Sequence, residues 1–145
     1  MQIHIYTIEK KPEFEGEIAR YIKLSRPFAK IETHQVYDPR LKRSRDPSAL
    51  YTQLLEKYTG KGFDVILTPD GELLDTPTFV KKILEGRSRI HFYIGGAYGF
   101  NREFKKRGFN LSLSPLTFSH KIAKLVLIEQ IYRGLTILNN HPYDK

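Results

Sequence analysis

The 145-residue chain contains no cysteine. Disulfides, thiolate zinc sites and cysteine-bound iron–sulfur clusters are excluded with it, and so is radical chemistry drawn from such a cluster. Long apolar runs are missing as well. No stretch approaches the roughly 20 residues that cross a bilayer, and Met1 to Tyr6 has no basic region followed by an apolar one. The chain therefore reads as a soluble, cytoplasmic protein with no membrane partner.

Several patterns that carry chemistry are equally absent. The glycines never fall in the Gly-x-Gly-x-x-Gly order of a dinucleotide fingerprint, and no Gly-x-x-x-x-Gly-Lys-Ser/Thr loop is present, so nucleotide triphosphate hydrolysis is not expected. A Gly-x-Ser-x-Gly elbow is missing too. The histidines, His4, His34, His91, His120 and His141, nowhere take the i, i+4 spacing of a helical metal site, so no metal is expected. His4, His34 and His91 fall within strand patterns, as structural or surface residues. His120 and His141, near the last loop and the tail, are better placed for function.

What is present is ordinary globular composition, 40% hydrophobic and 28% charged, in a length suited to one domain spanning 1–145. The 24 basic residues exceed the 16 acidic ones, for a net charge of +8. Such an excess favours a polyanionic partner through phosphate neutralisation, although solubility alone also accounts for it.

Strand and helix patterns alternate along the chain. Strands are expected at Ile3–Ile8, Ile31–Tyr37, Phe63–Thr68, Arg89–Ile94 and Phe109–Leu113. Between them, Pro12 fits a first helical turn, and Asp46-Pro47 and Thr76-Pro77 each read as a cap followed by a first-turn proline. Asn101–Arg107 reads as a short polar helix, and a long helix is expected from about Ser119 to Leu135. Repeated strand–helix units imply a mostly parallel sheet with helices on both faces. The long helix carries Ile122, Leu125, Val126, Leu127, Ile128, Ile131 and Tyr132, which leaves little polar circumference. It is expected to be buried on two sides, either centrally or at a subunit interface.

Ligands of open parallel sheets bind beyond the carboxyl ends of the strands. Three segments are expected there as loops: Pro69–Asp75, Gly95–Gly99 and Ser114–Ser119. Gly95 and Gly96 suit close backbone approach to a ligand, or simply a tight turn. A fourth loop, Asp38–Asp46, carries Arg40, Lys42, Arg43 and Arg45 on the same side. With the run Lys105-Lys106-Arg107 these are candidates for phosphate contact, against the plainer reading of a solvated charged surface.

The C-terminal half resembles the ribosomal RNA large subunit methyltransferase H family, of the SPOUT (α/β-knot) superfamily. The resemblance is carried by Ile94-Gly95-Gly96, by Leu111 to His120, by Leu125 to Arg133, by His141-Pro142-Tyr143 and by Asp75-Thr76-Pro77. It implies a homodimer with a C-terminal trefoil knot. The implied cofactor is S-adenosyl-L-methionine (SAM), and the implied activity is methylation at N3 of a pseudouridine in large-subunit (23S) ribosomal RNA of the assembled ribosome. By that correspondence, SAM contacts Leu67, Gly96 and the loop Ser114, Pro115, Leu116, Thr117, Phe118 and Ser119, with Gly95 beside them. The chain departs from the family at Ser119, often proline there, at Lys124, often arginine, and at Asp144, where the family tail commonly ends in Tyr-His.

Methyl transfer to a protonated imide nitrogen benefits from a base or an anion-stabilising donor. His120, Arg133, His141 and Tyr143 are the candidates, while Glu129, four residues before Arg133, is placed to pair with it instead. Two other readings stay open: a SPOUT RNA methyltransferase with another target, and a non-catalytic RNA- or ribosome-binding module.

Overall fold

Five strands pair into one sheet in the order β2-β1-β4-β3-β5, and each neighbouring pair is parallel. The strands are β1 (Gln2–Ile8), β2 (Lys30–Val36), β3 (Phe63–Leu73), β4 (Arg89–Ile94) and β5 (Phe109–Ser112). The helices are α1 (Glu15–Ser25), α2 (Pro47–Leu55), α3 (Thr76–Phe79), α4 (Arg102–Lys105) and α5 (His120–Leu138), and a π-helical turn, Val80–Leu84, extends α3. This computed structural model describes residues 1–144; Lys145, the last residue of the expected domain, lies outside the described residues.

Alternation along the strands divides the core in two. Ile3 and Ile5 of β1 point to one face and pack with Ile18 of α1, Phe79 of α3, and Leu127, Ile128, Ile131 and Leu135 of α5. Tyr6 and Ile8 point to the other and pack with Ile66, Tyr93, Tyr51 and Leu55 of α2, and Phe104 of α4. Helices thus cover both faces, as the βα alternation requires. No helix among the described residues is long and apolar enough to cross a membrane.

The helix starts are set by short polar side chains that satisfy otherwise unpaired N–H groups. Asp46 accepts from Ala49 N at 3.2 Å, Asn101 from Phe104 N at 2.9 Å and Ser119 from Ile122 N at 3.4 Å. Two expectations shift. The cap of α3 is Asp75, which accepts from Thr78 N at 2.9 Å, so Thr76 is already helical. Pro12 stands outside α1, which begins after Phe14 adopts a left-handed φ of 58° and places Glu15 and Glu17 in the first turn.

The larger correction concerns Pro69–Asp75, expected as a loop. Past an irregularity after Leu67, β3 resumes and pairs Glu72 with Leu111 and Leu73 with Ser112. Gly71 permits this return: a Cβ there would lie 2.7 Å from the Asn110 backbone. Helix α5 differs in a more limited way. Ile128, expected on either apolar side, is wholly buried against the chain's own core, whereas Ile122 is 44% exposed and Leu125 and Val126 are half-buried.

Candidate functional site

A cavity of about 430 Å³ opens at the carboxyl ends of β3, β4 and β5. Its walls are Leu67, Thr68 and Pro69 from the irregular part of β3, Ile94 to Ala97 after β4, and Leu111 to Ser114 and Leu116 to Ser119 around β5. His120 and Ala123, in the first turns of α5, close it. Of the residues expected to hold a cofactor, Leu67, Gly95, Gly96, Ser114, Leu116, Thr117, Phe118 and Ser119 all line this one space. Pro115 is in the same loop but does not line it. The loop is shaped locally, with Ser114 Oγ accepting from Leu116 N at 3.0 Å and Ser112 Oγ donating to the Ser114 carbonyl at 3.0 Å.

The two glycines serve a packing role that local sequence did not signal. A Cβ on Gly95 would come within 3.2 Å of the Phe100 ring, and one on Gly96 would collide with the Tyr51 hydroxyl. Neither Phe100 nor Tyr51 lines the cavity. The glycines therefore let the loop lie flat on the aromatic core while their backbone borders the cavity, and a side chain at Gly96 would meet Tyr51 rather than a ligand.

Among the described residues, His120 is the only ionisable side chain in the cavity wall. Burial lowers its pKa from the ordinary imidazole value, opposed by the nearby Glu9 carboxylate. One turn further along α5, Lys124 Nζ meets Glu9 Oε1 at 2.8 Å in a buried ion pair. Glu9 Oε2 and the buried Thr7 hydroxyl have no hydrogen-bond partner among the described residues.

The other catalytic candidates cluster at the far end of α5. Arg133 pairs with Glu129 at 2.7 Å and with Asp144 at 3.0 Å, and its guanidinium lies 4.9 Å from the centre of the Tyr143 ring. Tyr143 donates to Glu129 Oε1 at 3.1 Å, and burial raises the pKa of its hydroxyl. His141 is exposed, its ring edge-on to Phe28 at 5.9 Å. Arg133 lies thirteen positions along α5 from His120, roughly 20 Å of rise. One chain therefore does not bring these candidates into one site.

The basic candidates divide by their partners. Arg40 is held by Asp38 at 2.9 Å, Lys105 by Asp70 at 3.1 Å and Arg107 by Glu56 at 3.3 Å. Lys42, Arg43, Arg45 and Lys106 have no such ion pair among the described residues. The basic loop adjoins the cavity loop, because Ser48 of α2 donates to the carbonyls of Tyr98 and Gly99 at 3.2 and 3.0 Å.

The histidines assigned to strands are not scattered in space. Sheet register sets His4 opposite Glu32 and, two positions on, Tyr6 opposite His34. His4 Nδ1 comes 2.9 Å from His34 Nε2, and the His91 ring centre lies 5.0 Å from that of His4. Spacing within a single element could not show a cluster assembled across strands.

The family model described as Predicted SPOUT methyltransferase matches residues 1–144. The ribosomal RNA large subunit methyltransferase H of Sulfurovum sp. (strain NBC37-1) is 42% identical over 154 aligned residues and covers the whole of both chains. The protein of the same name from Campylobacter concisus is 42% identical over 153, again covering both in full. A solved structure, a probable methylase family protein from Haemophilus influenzae Rd KW20, has a TM-score of 0.58 at 12% identity. That alignment covers 99% of this chain and 70% of the other, and shows a shared fold.

Proposed function

The chain belongs to the SPOUT methyltransferase family, among the ribosomal RNA large subunit methyltransferase H proteins, and from that premise we propose that it methylates N3 of a pseudouridine in large-subunit (23S) ribosomal RNA, using SAM. The observation that carries the cofactor is the cavity itself. Its volume lies in the range of small-molecule sites. Leu67, Ile94, Leu111, Leu113 and Leu116 offer apolar wall to an adenosyl group, and Ser114, Thr117 and Ser119 offer hydroxyls to its polar edges. Among the described residues no lysine or arginine lines it, which disfavours a nucleotide phosphate as its occupant.

SAM supplies an electrophilic methyl group on a sulfonium, so the protein's task is orientation and removal of one proton from the imide nitrogen. His120 stands at the cavity wall with its pKa lowered by burial, so a ring nitrogen is available to accept that proton at neutral pH. Arg133, His141 and Tyr143 reach a cavity only by acting on that of a second copy.

We place that second copy on the open side of α5, where Ile122 is exposed beside half-buried Leu125 and Val126. The assignment extends to a single domain over 1–145, a C-terminal trefoil knot, a homodimer and action on the assembled ribosome in the cytoplasm. Lys42, Arg43, Arg45 and Lys106 would meet ribosomal phosphates. Calorimetry with SAM, followed by transfer of labelled methyl to ribosomes lacking the modification, tests the proposal. A protein with no SAM affinity at millimolar ligand would not be this enzyme.

A further inference from the structure

Away from the cavity, β1 and β2 bring together three side chains whose donor atoms converge. His4 Nδ1 lies 2.9 Å from His34 Nε2, while Glu32 Oε2 lies 3.5 Å from the first and 3.9 Å from the second. Two nitrogens and one oxygen bound to a tetrahedral zinc ion at about 2.0–2.1 Å would stand about 3.3 Å apart. The observed triangle brackets that value. Its two longer edges end on Glu32, whose carboxylate is 39% exposed and free to move by fractions of an ångström.

We propose that His4, Glu32 and His34 form a binding site for a first-row divalent cation of the zinc class, which clamps the edge strand β2 to β1. The donor set selects this class. Two imidazoles and one carboxylate suit zinc, cobalt, nickel or ferrous iron, whereas magnesium and calcium prefer oxygen alone.

Neighbouring contacts aim the donors. Lys30 occupies Glu32 Oε1 at 3.0 Å, which leaves Oε2 to face the histidines. His91, the next imidazole, is not a ligand: its Nε2 accepts from Arg89 Nε at 2.9 Å and its Nδ1 faces the Tyr58 carbonyl at 3.1 Å. The fourth position faces solvent, since His34 and Glu32 are each more than a third exposed, so water completes the tetrahedron. Without metal, one of the two rings donates an N–H to the other. On binding, that ring moves its proton to its other nitrogen through solvent, and both rings bind as neutral ligands with no net proton released. Strand β2 gains from the clamp because, among the described residues, it is an edge strand that pairs only with β1. The inference is independent of the methyl-transfer reading.

The test uses the full chain, stripped with chelator and titrated with zinc chloride by calorimetry, with cobalt absorption as a second readout of tetrahedral geometry. Wild type should bind one equivalent, and a hundredfold excess of zinc over Kd should raise Tm by roughly 5–10 °C. His34→Ala, at the exposed edge, should fold and lose both effects. Glu32→Gln keeps the shape but not the anionic oxygen, and should weaken binding at least about tenfold, no less than loss of a supporting group does. The double variant His120→Gln, His141→Gln should retain full binding. Zinc that binds wild type and His34→Ala alike, or fails to bind wild type at millimolar concentration, would overturn the site and leave only a hydrogen bond between His4 and His34.

Discussion

Lys124 on α5 and Glu9 at the end of β1 form an ion pair, 2.8 Å from Nζ to Oε1, with side chains 6% and 1% exposed. The pair ties the ligand end of the sheet to α5 one turn from His120. Buried charges are costly unless matched, so removing one partner does more harm than removing both. Lys124→Met should lower stability by about 3–5 kcal/mol in chemical denaturation. The double change Glu9→Gln, Lys124→Met should recover most of that loss. Equal damage from the single and double variants would show that packing, not charge, is what Lys124 contributes.

The cavity and its glycine floor can be separated by two substitutions. Gly96→Ala pushes into the Tyr51 hydroxyl and should cost about 1–3 kcal/mol of stability through overpacking of the second core. Ala123→Phe instead fills the cavity from the α5 side. It should weaken SAM binding at least tenfold, about 1.4 kcal/mol, while the denaturation midpoint moves little. SAM affinity unchanged in Ala123→Phe would place the cofactor elsewhere.

Acid should weaken the fold through its buried imidazoles. His91 is 1% exposed and accepts from Arg89 at Nε2, so a second proton there would face the guanidinium. Burial, His4 and Arg89 together hold its pKa below the ordinary value, while Asp64 opposes them. The unfolded chain titrates near 6.5 and the folded chain lower, so the unfolded state binds more protons between those values. Stability is fully present above about pH 6.5 and declines as pH falls below it. His91→Gln can accept from Arg89 and donate to Tyr58 without titrating. It should flatten the slope of stability against pH below about pH 6.5; an unchanged slope would assign the effect to His4 and His120, whose pKa values burial also lowers.

Much of this frame was legible because local signals were strong. Strand β4 occupies the expected Arg89–Ile94, an isoleucine- and aromatic-rich run that ends at Gly95-Gly96, Asp46 caps α2 as expected, and α5 starts within one residue of the expected Ser119. The failures share one cause, which is that the deciding partner is distant in sequence. Pro69-Asp70-Gly71 has turn composition, yet pairing of Glu72 with Leu111 makes strand beyond it. Gly96 is shaped by Tyr51, and the His4–His34 contact exists only through strand register. The candidate catalytic residues were gathered by resemblance, and the length of α5 divides them into two groups.

Dimerisation can be tested on the open side of α5. Ile122→Glu and Val126→Glu place charge where the isolated chain leaves apolar surface exposed or half-buried. Each should yield a folded monomer by light scattering, or a strongly weakened dimer, because an unpaired charge in an interface is costly. Ile128→Glu is the contrasting control. Its side chain is wholly buried in the chain's own core, so it should unfold the protein rather than dissociate it. A wild-type chain that is already monomeric would reject the interface.

Ribosome binding should depend on some basic residues more than others. Arg40, Lys105 and Arg107 already face carboxylates, so each would exchange a local partner for a phosphate. Lys42, Arg43, Arg45 and Lys106 have no ion pair among the described residues, and their gain on meeting phosphate is correspondingly larger. Each phosphate contact contributes about 0.7–0.9 to the slope of log affinity against log salt, depending on the nucleic acid. Lys42→Glu with Arg43→Glu should therefore reduce the magnitude of that slope by about 1.4–1.8 and leave SAM affinity nearly unchanged. Arg40→Gln should do less, since Asp38 already neutralises its guanidinium. If Arg40→Gln and Arg107→Gln weaken binding as much as the Lys42 and Arg43 changes, the ion pairs open on binding and the whole basic surface is engaged. Methyl transfer to protein-stripped RNA at the ribosomal rate would show that these contacts read RNA alone, without ribosomal shape.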